Sequence, residues 1–389
     1  MTNISKSIIN ILTSILVSLY SIKICSRFVL NFQDIIMPFF SNKMFRKFYS
    51  LEPYEQRDLK NKTTFTLMPR FKATFREMIE SEEKGGHWFR AGQFKKWLIE
   101  YKINIDDIGI EINSHGFRGR EINRDKAPDA MRILALGDSC TFGIIESMSY
   151  PNVIEHKLNE SGLKVEVINA GVEKYGIRHI LKRLDYFMEF KPDVATIYAG
   201  WIGANFFGDD FAGTLDILNN NYYFIQFKTL FYKHLRDSDC ILPQKFDGKF
   251  YKKVTASYRS NYFIKQVELL IQKLIDEKVR VVLFTMPSLF DPFAVADADM
   301  LRYGNLPSFS KNAYIFGYRV YQYNRRLREI SIRYNVPLID LEKHIDLIYS
   351  DKKKHFWDAC HLIPGSQIEL GEFIAEELMR KGIVKTDGQ

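Results

Sequence analysis

Residues 131–143, Met-Arg-Ile-Leu-Ala-Leu-Gly-Asp-Ser-Cys-Thr-Phe-Gly, limit the folds open to this chain more than any other stretch. The run from Ile133 to Leu136 is apolar and uncharged, which suits a strand buried on both faces. It breaks into the turn-forming trio Gly137-Asp138-Ser139, and a helix-like segment follows Gly143. From there strand-like and helix-like stretches alternate. Candidate strands are 133–136, 165–169, 194–198, 279–285 and 337–341; candidate helices are 150–161, 177–190, 261–277, 314–334 and 367–380. The alternation predicts an α/β fold, a three-layer α/β/α sandwich on a five-stranded parallel sheet, flavodoxin-like in outline. Such folds place their chemistry outside the carboxyl ends of the strands, which is where Ser139 falls.

Near the other end, residues 358–361 read Asp-Ala-Cys-His, followed by Leu362-Ile363-Pro364-Gly365 and a helical run over 366–381. Gly-Asp-Ser-x-Thr-x-Gly at 137–143 and Asp-x-x-His just before the last helix together resemble the SGNH (GDSL-like) hydrolase family. The resemblance implies that family's sandwich and a serine esterase or deacylase working through an acyl-enzyme, with no metal or organic cofactor. By motif, Ser139 is the nucleophile, His361 the base and Asp358 the group that orients it. The chemistry asks for these types. A serine hydroxyl is a poor nucleophile near neutral pH until an imidazole takes its proton. A carboxylate on the other ring nitrogen fixes the tautomer and stabilises the imidazolium. His344 and His355 are competitors for the base, expected to be exposed or structural.

The family draws oxyanion donors from the nucleophile's N–H, a glycine N–H after the second strand and an asparagine after the third. Residues 169–176 read Asn-Ala-Gly-Val-Glu-Lys-Tyr-Gly, and register from Asn169 puts Lys174 at the glycine position. The backbone N–H survives, but lysine resists the positive φ that glycine accepts. Gly171 and Gly176 are alternatives. Residues 198–205 read Tyr-Ala-Gly-Trp-Ile-Gly-Ala-Asn; counting from Asp193 puts Ile202 at the asparagine position, and Gly-x-Asn reappears at Gly203-Ala204-Asn205. The candidate hole is therefore Ser139, Lys174 and Asn205, with Gly200 and Trp201 as candidate substrate contacts. Losing one donor typically costs ~10²–10³ in turnover. A weak or inactive glycan- or lipid-binding member is thus the alternative reading, as is an O-acyltransferase using the same triad.

Three regions organise the chain: an anchor-like segment (1–42), a basic and aromatic linker with a lead-in hairpin (43–130), and the catalytic domain (131–385). Residues 7–22 carry no charge between Lys6 and Lys23. Flanking lysines let a short run reach across a bilayer, so an uncleaved membrane anchor is expected, with an interfacial helix and a soluble packing helix as the alternatives. Basic residues behind it alternate with Phe45, Phe48, Tyr49, Tyr54, Phe65, Phe71 and Phe75, the pattern of a membrane-surface patch or of a solvated loop. The resemblance to envelope-associated members suggests the cell envelope, whereas the basic flank favours a cytoplasmic C-terminal domain; the sequence leaves both sides open. Residues 108–112 alternate like a half-buried strand and run into Asn113-Ser114-His115-Gly116-Phe117-Arg118-Gly119, a lid or edge hairpin whose His115 and Arg118 are possible substrate contacts. Insertions at about 206–258 and 288–313 are rich in Phe and Tyr and are expected to wall the substrate cleft.

The chain has 389 residues and a formal charge of +8, which favours anionic surfaces. No nucleic-acid-binding motif is present, so anionic lipid headgroups or an acidic glycan fit the charge better than nucleic acid; the family resemblance implies an ester-bearing lipid or an O-acylated glycan as the partner. The cysteines at 25, 140, 240 and 360 show no metal-ligand spacing. Cys140 and Cys360 flank Ser139 and His361, so the fold should bring them near each other, as apolar wall residues or as a regulatory pair.

Overall fold

The computed structural model describes residues 54–59, 62–83, 99, 102–106, 108–201, 261–291 and 313–385. The expected anchor at 7–22, Asn205, the insertion at 206–258 and most of the one at 288–313 lie outside the described residues. Among the described residues no helix is long and apolar enough to cross a membrane.

In chain order the elements are β1 (Tyr54–Leu59), β2 (Lys62–Leu67), β3 (Lys72–Thr74), α1 (Phe75–Glu83), β4 (Gly109–Glu111), β5 (Met131–Gly137), α2 (Ser139–Phe142), α3 (Tyr150–Glu160), β6 (Val165–Asn169), α4 (Ile177–Met188), β7 (Val194–Tyr198), α5 (Asn261–Asp276), β8 (Arg280–Phe284), α6 (Ala313–Tyr334), β9 (Leu338–Ile339), α7 (Leu341–Ile348) and α8 (Pro364–Arg380). The chain divides into two compact units, Met1–Glu52 with Thr74–Asp107, and Pro53–Ala73 with Ile108–Gln389. In the first, the α1 residue Arg76 grips Asp106 through two hydrogen bonds.

The second unit carries the five-stranded sheet, in the order β6-β5-β7-β8-β9. Every pairing in it is parallel. This is the expected flavodoxin-like sandwich. Burial explains the apolar runs: every residue of β7 is buried, as is all of β5 after Met131. Helix α3 packs with α8, and α5 packs with both α4 and α6. Gly371 permits the first contact, because a Cβ there would lie 2.6 Å from Val153 Cβ. Chain order reverses across β5, so the crevice between β5 and β7 is the topological switch point of the sheet.

The opposite, amino-terminal edge is locked by charge. Arg132 is fully buried. Its guanidinium donates to Glu166 and to the carbonyls of Asn123, Arg124 and Phe190. Asp193 accepts from the Arg132 N–H and from Lys126. The polar linker before β5 is thus stitched down.

Two expectations change. Phe65 of the basic-aromatic stretch is no surface residue: it is fully buried, with its ring 5.1 Å from Tyr175 and 5.3 Å from His179. It belongs to the antiparallel β1–β2 hairpin, whose residues read from sequence as linker. The lead-in segment also lies at a sheet edge, where the Arg118 N–H donates to the Asn169 carbonyl at the end of β6. Arg118 itself is buried, donating to the carbonyls of Gly109, Glu111 and Ile144 with its guanidinium 5.1 Å from the Phe142 ring. It braces the segment behind the Ser139 turn. His115 packs edge-on against Phe190, beside the Arg132 cluster.

Removing a partner from a buried ion pair strands charge and carbonyls together. Arg132→Ala is expected to cost about 3 kcal/mol of unfolding free energy. A urea titration checks this, and a loss under about 1 kcal/mol would show that water replaces the guanidinium.

Candidate active site

The turn after β5 is built by close approach. β5 ends at Gly137, where a Cβ would fall 1.8 Å from Thr141 Oγ1. Asp138 then caps α2, its Oδ1 accepting the Cys140 N–H at 3.1 Å. From behind, Gly171 presses on α2 so tightly that a Cβ would sit 2.3 Å from the Phe142 backbone nitrogen. Asn169 joins the two segments, its Nδ2 donating to the Phe142 carbonyl while its Oδ1 accepts the Gly171 N–H. Ser139, the first helical residue, is left half-buried.

A tight loop before α8 meets it. Phe356 and Leu362 form an antiparallel bridge, and the Trp357 N–H donates to the His361 carbonyl at 3.0 Å. Asp358 closes the tip: its Oδ1 accepts the N–H groups of Cys360 at 2.9 Å and His361 at 2.8 Å. The Leu289 N–H, just after β8, ties the loop down through the Ala359 carbonyl.

The structure brings Ser139, His361 and Asp358 together. His361 Nε2 is 2.7 Å from Ser139 Oγ, and Nδ1 is 2.7 Å from Asp358 Oδ2. An ionised carboxylate only accepts, so Nδ1 carries the proton, and Nε2 of the neutral ring accepts from the serine hydroxyl. Burial alone would raise Asp358, but the His361 charge and hydrogen bond and the two amides hold it below its ordinary value. For His361, burial disfavours the imidazolium, yet the Asp358 carboxylate outweighs it and the pKa stands above the ordinary one. Asp138 behaves oppositely: burial pushes it up to about 6, against the pull of the Cys140 amide, the His361 charge and the amides of Gly200 and Trp201.

The competing histidines are engaged elsewhere. His344 stacks on Phe373 at 3.5 Å, and His355 stacks on Tyr349 at 3.4 Å with its Nδ1 2.9 Å from Ser366 Oγ. Burial lowers the pKa of both.

The loop after β6 corrects the reading of Lys174. Its φ is +63°, so the lysine occupies the left-handed region expected only of glycine there. Such a conformation costs an L-residue roughly 1–2 kcal/mol. Tertiary contacts around it sustain the loop. The Tyr175 hydroxyl donates to the Phe65 carbonyl, and His179, fully buried and stacked on Tyr175, accepts the Gly176 N–H at 2.9 Å. Sequence reasoning passed over His179 and Tyr175; a histidine three residues after a helix-capping glycine was the available signal. Gly200 and Trp201 are both buried. A Cβ at Gly200 would lie 2.5 Å from Met286 Sδ and from the Tyr323 ring. The Trp201 indole stacks on Phe316 at 5.8 Å, and its N–H has no hydrogen-bond partner among the described residues.

If the carboxylate governs the imidazole, NMR titration of His361 should give a midpoint well above about 6.5. Asp358→Asn should bring it down, since the carboxylate that most opposes burial is then gone. An unchanged midpoint would remove Asp358 from the account.

A lipase/acylhydrolase from Enterococcus faecalis shares 21% identity, covering 67% of this chain and 100% of its own, with a TM-score of 0.41. An acetylxylan esterase from Geobacillus stearothermophilus shares 15%, covering 64% and 94%, with a TM-score of 0.40. No curated protein matches the chain. The GDSL-like lipase/acylhydrolase family model matches residues 135–362, more than half of the sequence, and the chain belongs to that family.

Proposed function

We propose that this acylhydrolase-family chain is a serine esterase or deacylase acting through an acyl-enzyme. The observation that carries the reading is the unbroken relay from Asp358 through His361 to the Ser139 hydroxyl, with both links at 2.7 Å. Ser139 Oγ attacks the ester carbonyl as its proton passes to His361 Nε2. Asp358 keeps Nδ1 protonated and stabilises the imidazolium. The tetrahedral oxyanion takes hydrogen bonds from the backbone N–H groups of Ser139 and Lys174, with the Asn205 side chain as third donor. The alcohol leaves with the proton from Nε2, and water then repeats the sequence on the acyl-enzyme.

Lys174 supports an active site over a degenerate one. Its backbone adopts the strained turn that a glycine would adopt freely, and the first helical N–H at Ser139 has no intrahelical acceptor to satisfy it. The substrate class is an ester-bearing lipid or an O-acylated glycan, supported by the aromatic content of 206–258 and 288–313. The uncharged run at 7–22 supports a membrane-tethered position for this activity, at the cell envelope.

Ser139→Ala should abolish fluorophosphonate labelling and reduce hydrolysis of short p-nitrophenyl esters by roughly 10⁴–10⁶. Full activity in that variant would sink the assignment. Because the base must be neutral to act, kcat/KM should rise with pH along the His361 titration, and its midpoint should lie above about 6.5. A profile already flat at pH 6 would contradict the relay.

A further inference from the structure

Acyl transfer gives no task to the two thiols beside the proposed nucleophile and base. Cys140 follows Ser139, Cys360 precedes His361, and both are free. The Cys140 and Cys360 sulfurs and a His361 ring nitrogen lie within 4.8 Å of one another. Cys140 Sγ is 3.5 Å from the Cys360 carbonyl oxygen, and Cys360 Sγ is 3.5 Å from His361 Nδ1. Chain segments from opposite ends of the domain thus set two sulfurs side by side.

We propose that Cys140 and Cys360 are a redox-active dithiol, a modification site whose disulfide, formed with a hydroperoxide, draws His361 off Ser139. The cysteine on the more exposed residue reacts first. Cys360 is half-buried, whereas Cys140 is 1% exposed. Cys360 sulfur attacks the terminal oxygen of the hydroperoxide and the O–O bond breaks. Cys360 becomes a sulfenic acid, and the remaining fragment leaves as an alcohol, or as water when the oxidant is hydrogen peroxide. Cys140 sulfur then attacks the Cys360 sulfur; the S–S bond forms, and the sulfenic oxygen leaves as water with the Cys140 proton. Two electrons pass from the thiols to the peroxide, and a nearby thiol intercepts the sulfenic acid before further oxidation. The hydrogen bond with Cys140, and burial after it, raise the Cys360 pKa. Cys360 therefore rests protonated and answers only to sustained oxidant.

Bond formation must bring the sulfurs to about 2.05 Å. The Cys140 side has no room to give, because Gly171 lies hard against the α2 backbone. The Cys360 loop moves instead and carries His361 with it. A shift of about 1 Å at a reacting pair costs on the order of 10²-fold in rate. The catalytic consequence rests on the acyl-transfer reading; the cross-link itself does not.

The test uses the full chain carrying Cys25→Ser and Cys240→Ser, reduced, freed of metal by a chelator and then treated with hydrogen peroxide. Non-reducing peptide mapping should recover one cross-linked peptide joining residues 140 and 360. Fluorophosphonate labelling at Ser139 should fall at least about tenfold, on the scale of that misplacement, and dithiothreitol should restore it. Adding Cys140→Ala should abolish the cross-link and leave Cys360 trappable by dimedone. Sulfinic or sulfonic Cys360 with no cross-link overturns the proposal, and so does a cross-linked chain that labels as fast as the reduced one. If the reduced chain takes no label at Ser139, the acyl-transfer reading fails separately, while the peptide map still decides the dithiol.

Discussion

One carboxylate holds the site together in two ways. Asp358 Oδ1 ties the tip of the loop before α8 through two backbone amides, and Oδ2 fixes the imidazole. A buried anion is tolerated only when its lone pairs are satisfied and a countercharge stands near. The loop and the imidazole supply both. The motif spacing of three residues therefore follows from geometry: the turn that lets Asp358 cap itself is the turn that brings its other oxygen to the ring.

The sheet divides its tasks between its two edges. At the amino-terminal edge Arg132, Asp193, Lys126 and Glu166 cement the linker and the strand starts. At the carboxyl edge, glycines at 137, 171 and 200 stand where a side chain would collide with its neighbours, so loops there meet at backbone distance. Precision at the site comes from this crowding rather than from long-range charge. Packed interiors tolerate small displacements poorly, which is how the position of a serine hydroxyl becomes fixed to within tenths of an ångström.

Most of the framework was legible because burial on both faces writes itself as uncharged runs, and helices as periodic ones. The five strands fall where the sequence put them, with ends shifted by a residue or two, and α8 begins at Pro364 rather than 367. Ser139, Asp358 and His361 were legible through motif spacing, and the structure sets them in contact. Lys174 was not, because local preference argues against a left-handed lysine; closure of its loop by Phe65, Tyr175 and His179 is a tertiary effect. Helix α7 was also missed, although Asp340 caps it and its Oδ1 accepts the Lys343 N–H. It follows β9 with no loop, so its first residue, Leu341, read as the end of the strand. The β1–β2 hairpin escaped for the same kind of reason: its basic and aromatic mixture resembles a surface, and only distant partners bury Phe65.

The order in which the relay residues occur along the chain has a consequence during synthesis. Strands β5, β6 and β7 can pair while the polypeptide is still growing, because their partners are near in sequence. Ser139 would then stand on a formed platform without its base, since His361 lies 222 residues later. A ribosome-bound intermediate therefore holds the Ser139 hydroxyl without its imidazole, and the Ser139–His361 contact forms only when the closing helix docks against α3.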